Sequence, residues 1–146
     1  MISAHCKLCL PGSLIREVDE ALDDYEPTKA ARAINDFVND NLSNWYVRLN
    51  RKRFWGGEMD VDKLSAYQTL YTCLETVALL MAPISPFFAD RLYTDLTSVT
   101  KGSTESVHLA LFPEAGESDE NLEARMKLAQ EITSMVLSMR RKVNIK

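Results

Sequence analysis

The chain has 146 residues, 46% of them hydrophobic, with a net charge of -4 and a pI near 5.2. That is enough for one domain with a real core, and the acidic balance excludes a protein that wraps nucleic acid with its whole surface. No apolar run reaches the roughly 18 residues of a membrane span, the first residues do not read as a signal peptide, and three cysteines, an odd number, argue against a disulfide framework and for a reducing cytoplasm.

Residues 1–12 read as an atypical lead-in, disordered or foreign to the domain. They hold Cys6-Lys7-Leu8-Cys9 beside His5. A structural zinc site needs four ligands, and Cys73 and His108 are poorly placed to complete one, so no metal site is expected. From Ser13 the pattern is helical. Leu14, Ile15, Val18, Leu22 and Tyr25 recur on one face, with an acidic block (Glu17, Asp19, Glu20, Asp23, Asp24, Glu26) on the other. Pro27 punctuates. A second, long helix is predicted from about Thr28 to about Phe54, with Ile34, Phe37, Val38, Asn41, Trp45 and Leu49 inward and Gly56-Gly57 ending it.

Asp60 or Asp62 can cap a third helix, which carries Leu64, Tyr67, Tyr71, Leu74, Val77, Ala78 and Met81 and becomes apolar almost all round after Leu70. Such a helix is buried by several neighbours. Pro83 stops it, and Ser85-Pro86 opens a fourth, with serine as cap, proline in the first turn, and Phe87, Phe88, Leu92 and Leu96 as core face. Lys101 to Thr104 is a loop. Val107, Leu109 and Leu111 alternate with His108 and Ala110, which predicts a short extended segment. After a polar stretch, Asp119 can cap a last helix with Leu122, Met126, Ala129, Ile132, Val136, Met139 and Val143. Its pattern is still running at Lys146, as expected of a domain cut from a longer chain. Short connections between such helices predict an all-α, antiparallel bundle of about five helices with one extended segment.

No catalytic constellation is present. The sequence lacks a phosphate-binding glycine loop, a dinucleotide fingerprint and an HExxH zinc motif, and His108 has no placed serine or cysteine partner. The informative segment is Asn44 to Trp55, where four cations and four aromatics interleave within twelve residues. Such a mixture holds single-stranded RNA loops, with aromatic and guanidinium planes stacking on splayed bases and cations neutralising the backbone. At about 100° per residue, Trp45 and Leu49 fall on the inner stripe. Asn44, Arg48, Arg51 and Trp55 fall along one flank, free to face outward. A flank of this composition also suits packing on a partner domain, and the spacing does not choose between RNA and protein.

At this segment the chain resembles a known family. Asn44-Trp45-Tyr46 with Arg48, followed by Arg53-Phe54-Trp55, is similar to the signature helix of the anticodon-binding domain of class I isoleucyl-tRNA synthetases. Tyr25-Glu26-Pro27-Thr28-Lys29 resembles the lead-in to that helix. Met81-Ala82-Pro83-Ile84-Ser85-Pro86-Phe87 resembles its helix break, Ser106-Val107-His108-Leu109 with Phe112-Pro113 the segment after it, and Arg140-Arg141-Lys142 the end of the next helix. The likeness covers about residues 13–146. Single motifs are shared with valyl and leucyl relatives, and the combination favours the isoleucyl type. The family's ATP-handling motifs are absent from this chain.

The resemblance implies that the parent protein joins isoleucine to its tRNA using ATP and Mg, both held in a catalytic domain outside this chain. The piece in hand, without a cofactor and inactive alone, would recognise the anticodon stem-loop. Asn44, Arg48, Arg51, Lys52, Arg53 and Trp55 are the expected RNA contacts, with Arg140, Arg141 and Lys142 as further candidates. The alternatives are a structural bundle that packs on the catalytic domain, or a piece of a valyl- or leucyl-type synthetase.

Overall fold

The computed structural model describes residues 6–98, 104–116 and 119–145, with side chains from Gly12 onward, Glu120 apart. His5, the side chains of Cys6 and Cys9, most of the loop expected at 101–104, and Lys146 lie outside the described residues. The described chain is an all-α bundle: α1 (Cys6–Asp23), α2 (Pro27–Asp36), a π-helical stretch (Phe37–Val47), α3 (Arg51–Trp55), α4 (Val61–Met81), α5 (Pro86–Thr97) and α6 (Glu120–Lys142), with a 3-10 turn at Val107–Leu109. α1 begins at Cys6 rather than Ser13, so helix reaches into the expected lead-in.

Local chemistry sets most boundaries. α1 closes on a hydrogen-bonded αL turn: Tyr25 has φ 58°, its N–H donates to the Leu22 carbonyl, and Glu26 N–H donates to the Ala21 carbonyl. Pro27 then occupies the first turn of α2, where its missing N–H costs nothing. The Asp60 carboxylate accepts from the Lys63 amide at 2.7 Å and caps α4, which leaves Asp62 free for another role. Asp119 caps α6 through the Leu122 amide. Pro86 lies in the first turn of α5, but the Ser85 side chain makes no cap hydrogen bond.

α6 does not run on to the end of the chain. It closes at Lys142, with Asn144 at φ 53°, Asn144 N–H donating to the Arg141 carbonyl and Ile145 N–H to the Arg140 carbonyl. Asparagine is the residue besides glycine that ends a helix this way.

Short turns fold α2 back along α1 and α5 back along α4, and α4 also packs on α1, α2 and α3. The main core joins Leu14, Ile15 and Val18 of α1, Ile34 of α2, Phe37, Leu42 and Tyr46 of the π stretch, Phe54 of α3, and Ala66, Cys73, Val77 and Leu80 of α4. A smaller cluster unites Ala78, Ala89, Tyr93 and Val107.

Two faces differ from the sequence expectation. On α4 the buried positions include Ala66, Thr69, Cys73 and Thr76, while Leu64 and Tyr67 are largely exposed. Small side chains on this face leave room for the Tyr46 ring, whose hydroxyl donates to the Ala66 carbonyl at 3.1 Å. On α5, Ala89, Tyr93 and Thr97 are buried and Phe87 and Phe88 are exposed.

The expected extended segment is also corrected, since among the described residues there is no strand. Asp90 accepts from the Ser106 hydroxyl at 2.6 Å and from the Val107 amide at 3.1 Å. The Ser106 hydroxyl in turn accepts from the His108 amide. These bonds wind the chain into a 3-10 turn that buries Val107 and leaves Leu109 and Leu111 exposed. Alternation without a partner strand makes no ladder.

Candidate RNA-binding face

The segment predicted as one helix through residue 54 is three pieces, and the middle one changes which side chains face out. Through Phe37–Val47 the backbone is π-helical, so each hydrogen bond reaches one residue further than in an α-helix. The Arg48 N–H accordingly donates to the Ser43 carbonyl. The inner stripe advances from Phe37 to Leu42 and then through Tyr46, Asn50 and Phe54, all buried. The expected inner residues turn outward by the same step: Trp45 is only half-buried and Leu49 is 63% exposed. π segments are rare and cluster at functional sites.

The inner stripe is held by polar as well as apolar contacts. Phe54 meets Tyr46 and Tyr67 edge-on, with ring centroids at 6.1 and 5.2 Å. The Tyr67 hydroxyl donates to the Phe54 carbonyl at 3.2 Å. The buried Asn50 amide donates to the Tyr46 carbonyl at 2.8 Å, which satisfies a donor that would otherwise be orphaned. A Cβ on Gly56 would stand 2.7 Å from the Lys52 carbonyl oxygen, and Gly57 has φ +62°. The two glycines therefore let the chain leave α3 tightly, as expected from the sequence.

With Tyr46, Asn50 and Phe54 turned inward, Asn44, Arg48, Arg51, Lys52 and Trp55 are exposed. Arg51 lies over the Trp55 ring, its guanidinium carbon 5.2 Å from the centroid, within reach of a cation–π attraction. The indole is nonetheless 70% exposed. Among the described residues, Arg48, Arg51 and Lys52 form no ion pair.

Arg53 is different. Its Nε and Nη2 donate to the two carboxylate oxygens of Asp62, each at 2.7 Å, and Nη2 also reaches the Asp62 carbonyl at 3.1 Å. Its Nη1 donates to Asn50 Oδ1 at 3.2 Å. The hydrogen bond to Asp62 raises the already high guanidinium pKa further. Arg140, Arg141 and Lys142 are exposed on the last turn of α6. α6 itself touches the π stretch through Gln130 Nε2, which donates to Asn41 Oδ1 at 3.0 Å.

A helical bundle with one cationic, aromatic flank in an otherwise acidic chain can bind a nucleic-acid loop, and the family agrees. A family model described as the anticodon-binding domain of tRNA ligase matches residues 12–146, so the chain belongs to the tRNA-ligase anticodon-binding domain family. It is 70% identical over 142 residues to an isoleucine–tRNA ligase of Bacteroides thetaiotaomicron, which is 95% of this chain and 12% of that protein. It is 67% identical over 137 residues to that of Porphyromonas gingivalis, again 12% of the relative's length, and 50% identical over 138 residues to that of Dehalococcoides mccartyi, 14% of its length. The chain thus spans a small part of each relative it matches. Among the described residues no helix is long and apolar enough to cross a membrane.

Proposed function

We propose that this chain is the tRNA-recognition part of a cytoplasmic isoleucine–tRNA ligase, and that it docks on the anticodon stem-loop of isoleucine tRNA through Asn44, Arg48, Arg51, Lys52 and Trp55. The observation that carries the reading is the outward stripe next to the π stretch: three exposed cations and a stacked Arg51–Trp55 pair beside one another. The cations would meet phosphates, and Trp55 would stack on an unpaired base. The exposed Asn44 amide, which both donates and accepts, would read a base edge. Arg140, Arg141 and Lys142 would add phosphate contacts from α6. The acidic blocks elsewhere repel RNA docked in a wrong orientation.

The whole protein would then attach isoleucine to its tRNA, with ATP and Mg bound by a catalytic domain beyond this chain. Binding energy gathered at the remote anticodon can be spent on positioning the reacting end. A wrong anticodon that left a buried polar group unpaired would forfeit about 1–3 kcal/mol. By the tenfold-per-1.4 kcal/mol rule, that is about 5- to 150-fold in charging rate.

Titration of the chain with the anticodon stem-loop RNA of an isoleucine tRNA tests the reading. Affinity should fall steeply with salt, because cation–phosphate contacts release counterions. Trp55→Ala should weaken binding by about 5- to 150-fold, the equivalent of one stacked base at about 1–3 kcal/mol. Unperturbed amide resonances at low salt would refute it. A second reading, packing on the catalytic domain, is favoured at α6, where Leu128, Ile132, Met135 and Met139 are exposed. An apolar seam of that kind would not weaken with salt, which separates it from RNA binding.

A further inference from the structure

Asp62 is out of place on a surface meant for phosphates. Its carboxylate is 64% exposed and stands at the edge of the cationic face, where simple electrostatics would have it repel RNA. Its partner Arg53 is only 23% exposed and spends four of its five N–H donors inside the protein, three on Asp62 and one on Asn50. A guanidinium so engaged has little left to offer a phosphate.

α3 needs such a tie. It has five residues, far too few to hold a helical conformation or a direction by itself. Yet it carries Arg51, Lys52 and Trp55, whose aim decides what they can touch. Three anchors fix it to α4: the Arg53–Asp62 fork, the Tyr67 hydroxyl on the Phe54 carbonyl, and the Lys63 ammonium donating to the carbonyls of Gly56 at 3.3 Å and Gly57 at 3.4 Å. Through Asn50, which donates to the Tyr46 carbonyl, the fork also reaches back to the π stretch. Because Asp60, not Asp62, caps α4, the Asp62 carboxylate is not consumed in starting the helix.

We propose that Arg53 and Asp62 form a positioning clamp: Arg53 does not contact RNA, and the pair holds α3 on α4 so that Arg51 and Trp55 face the stem-loop. The proposal rests on the RNA-binding reading of this face and assigns two of its residues a role in presenting the others.

The sign of one substitution separates the clamp from a phosphate contact. Asp62→Asn removes a negative charge beside the RNA, so electrostatics alone predicts tighter binding. The clamp predicts weaker binding, by about 3- to 10-fold, with a salt slope that does not steepen, because the misdirected Arg51 can only lose phosphate contact. Arg53→Lys keeps the charge but cannot form the fork, and should weaken binding to a similar degree. A phosphate ligand would be largely replaced by lysine.

A readout without RNA is 19F NMR of the full chain labelled with 5-fluorotryptophan, which gives one resonance for each of the two tryptophans. In both variants the Trp55 resonance should move or broaden while that of Trp45 holds, showing that α3 has shifted and the bundle has not unfolded. The clamp is overturned if the unmodified chain binds the stem-loop and Asp62→Asn binds as well or better, if Arg53→Lys retains full affinity, or if Trp55 is undisturbed in both. Failure of the unmodified chain to bind is a different result: it overturns the RNA reading, and this proposal with it.

Discussion

Phe54 should be the side chain on which presentation of the RNA face depends most for stability, and Phe54→Leu tests this without opening a large hole. The ring is buried and meets two others edge-on, Tyr46 at 6.1 Å and Tyr67 at 5.2 Å. Edge-to-face pairs are worth about 0.5–1.5 kcal/mol each beyond their buried area, so losing both costs about 1–3 kcal/mol. Against a total of about 5–15 kcal/mol for a domain of this kind, that is a visible fraction. Urea unfolding followed by far-UV circular dichroism gives the difference directly, with an unchanged slope if only native contacts are lost. A double-mutant cycle with Tyr67→Leu should return a coupling of at least about 0.5 kcal/mol, as contacting residues do. Additive effects, or a loss below about 0.5 kcal/mol for Phe54→Leu alone, would show that the aromatic cluster is incidental and that α3 is held by its polar ties only.

Tyr25 occupies the left-handed region at φ 58° and is 92% exposed; Tyr25→Gly should therefore raise the unfolding free energy by about 1 kcal/mol of relieved strain, read as a higher urea midpoint, and a lower midpoint would refute the strain. Gly56→Ala should destabilise by about 0.5–3 kcal/mol, because its Cβ would press on the Lys52 carbonyl oxygen; thermal melting of the variant checks this. The Ser106 hydroxyl, then the Val107 amide, hold the Asp90 carboxyl below its ordinary pKa, with a smaller contribution from His108. Lowered in the fold, that pKa makes the contribution complete above the unfolded value of about 3.9 and lost as pH falls through the lower folded value. The Val107 amide should thus keep its hydrogen-exchange protection near pH 6 and lose it in strong acid, and an unchanged protection factor would refute the tie.

The legible parts of this protein were those that neighbours in the chain decide. Asp119, and Asp60 as one of two candidates, could be read as helix caps, Pro86 as a first-turn residue, and Gly56 as a stop, because each acts on backbone groups within a few residues of itself. The stretch from Asn44 to Trp55 was legible as a cationic and aromatic segment for the same reason: composition does not depend on the fold. The Asn144 stop was equally local, but asparagine is a weaker signal than glycine. Other misses were of a different kind. Val107, Leu109 and Leu111 alternate like a strand, yet they form a 3-10 turn, because the groups that take up the Ser106 hydroxyl and the Val107 amide belong to Asp90 on α5.

The sequence by itself determined where α4, α5 and α6 start, where α3 and α4 stop, and that one segment carries the charges and rings suited to RNA. Only the tertiary structure decided that Trp45 and Leu49 leave the inner stripe and that Arg53 is engaged rather than offered. Trp45 and Leu49 would face the core on an ideal α-helix. One longer backbone loop at Phe37–Val47 turns Tyr46, Asn50 and Phe54 inward in their place, and a carboxylate on α4 removes Arg53 from the free cations. Both outcomes are set by packing between helices, where a shift of one residue in hydrogen-bond register changes the face that a whole segment presents, and no count of residues along the chain contains that shift.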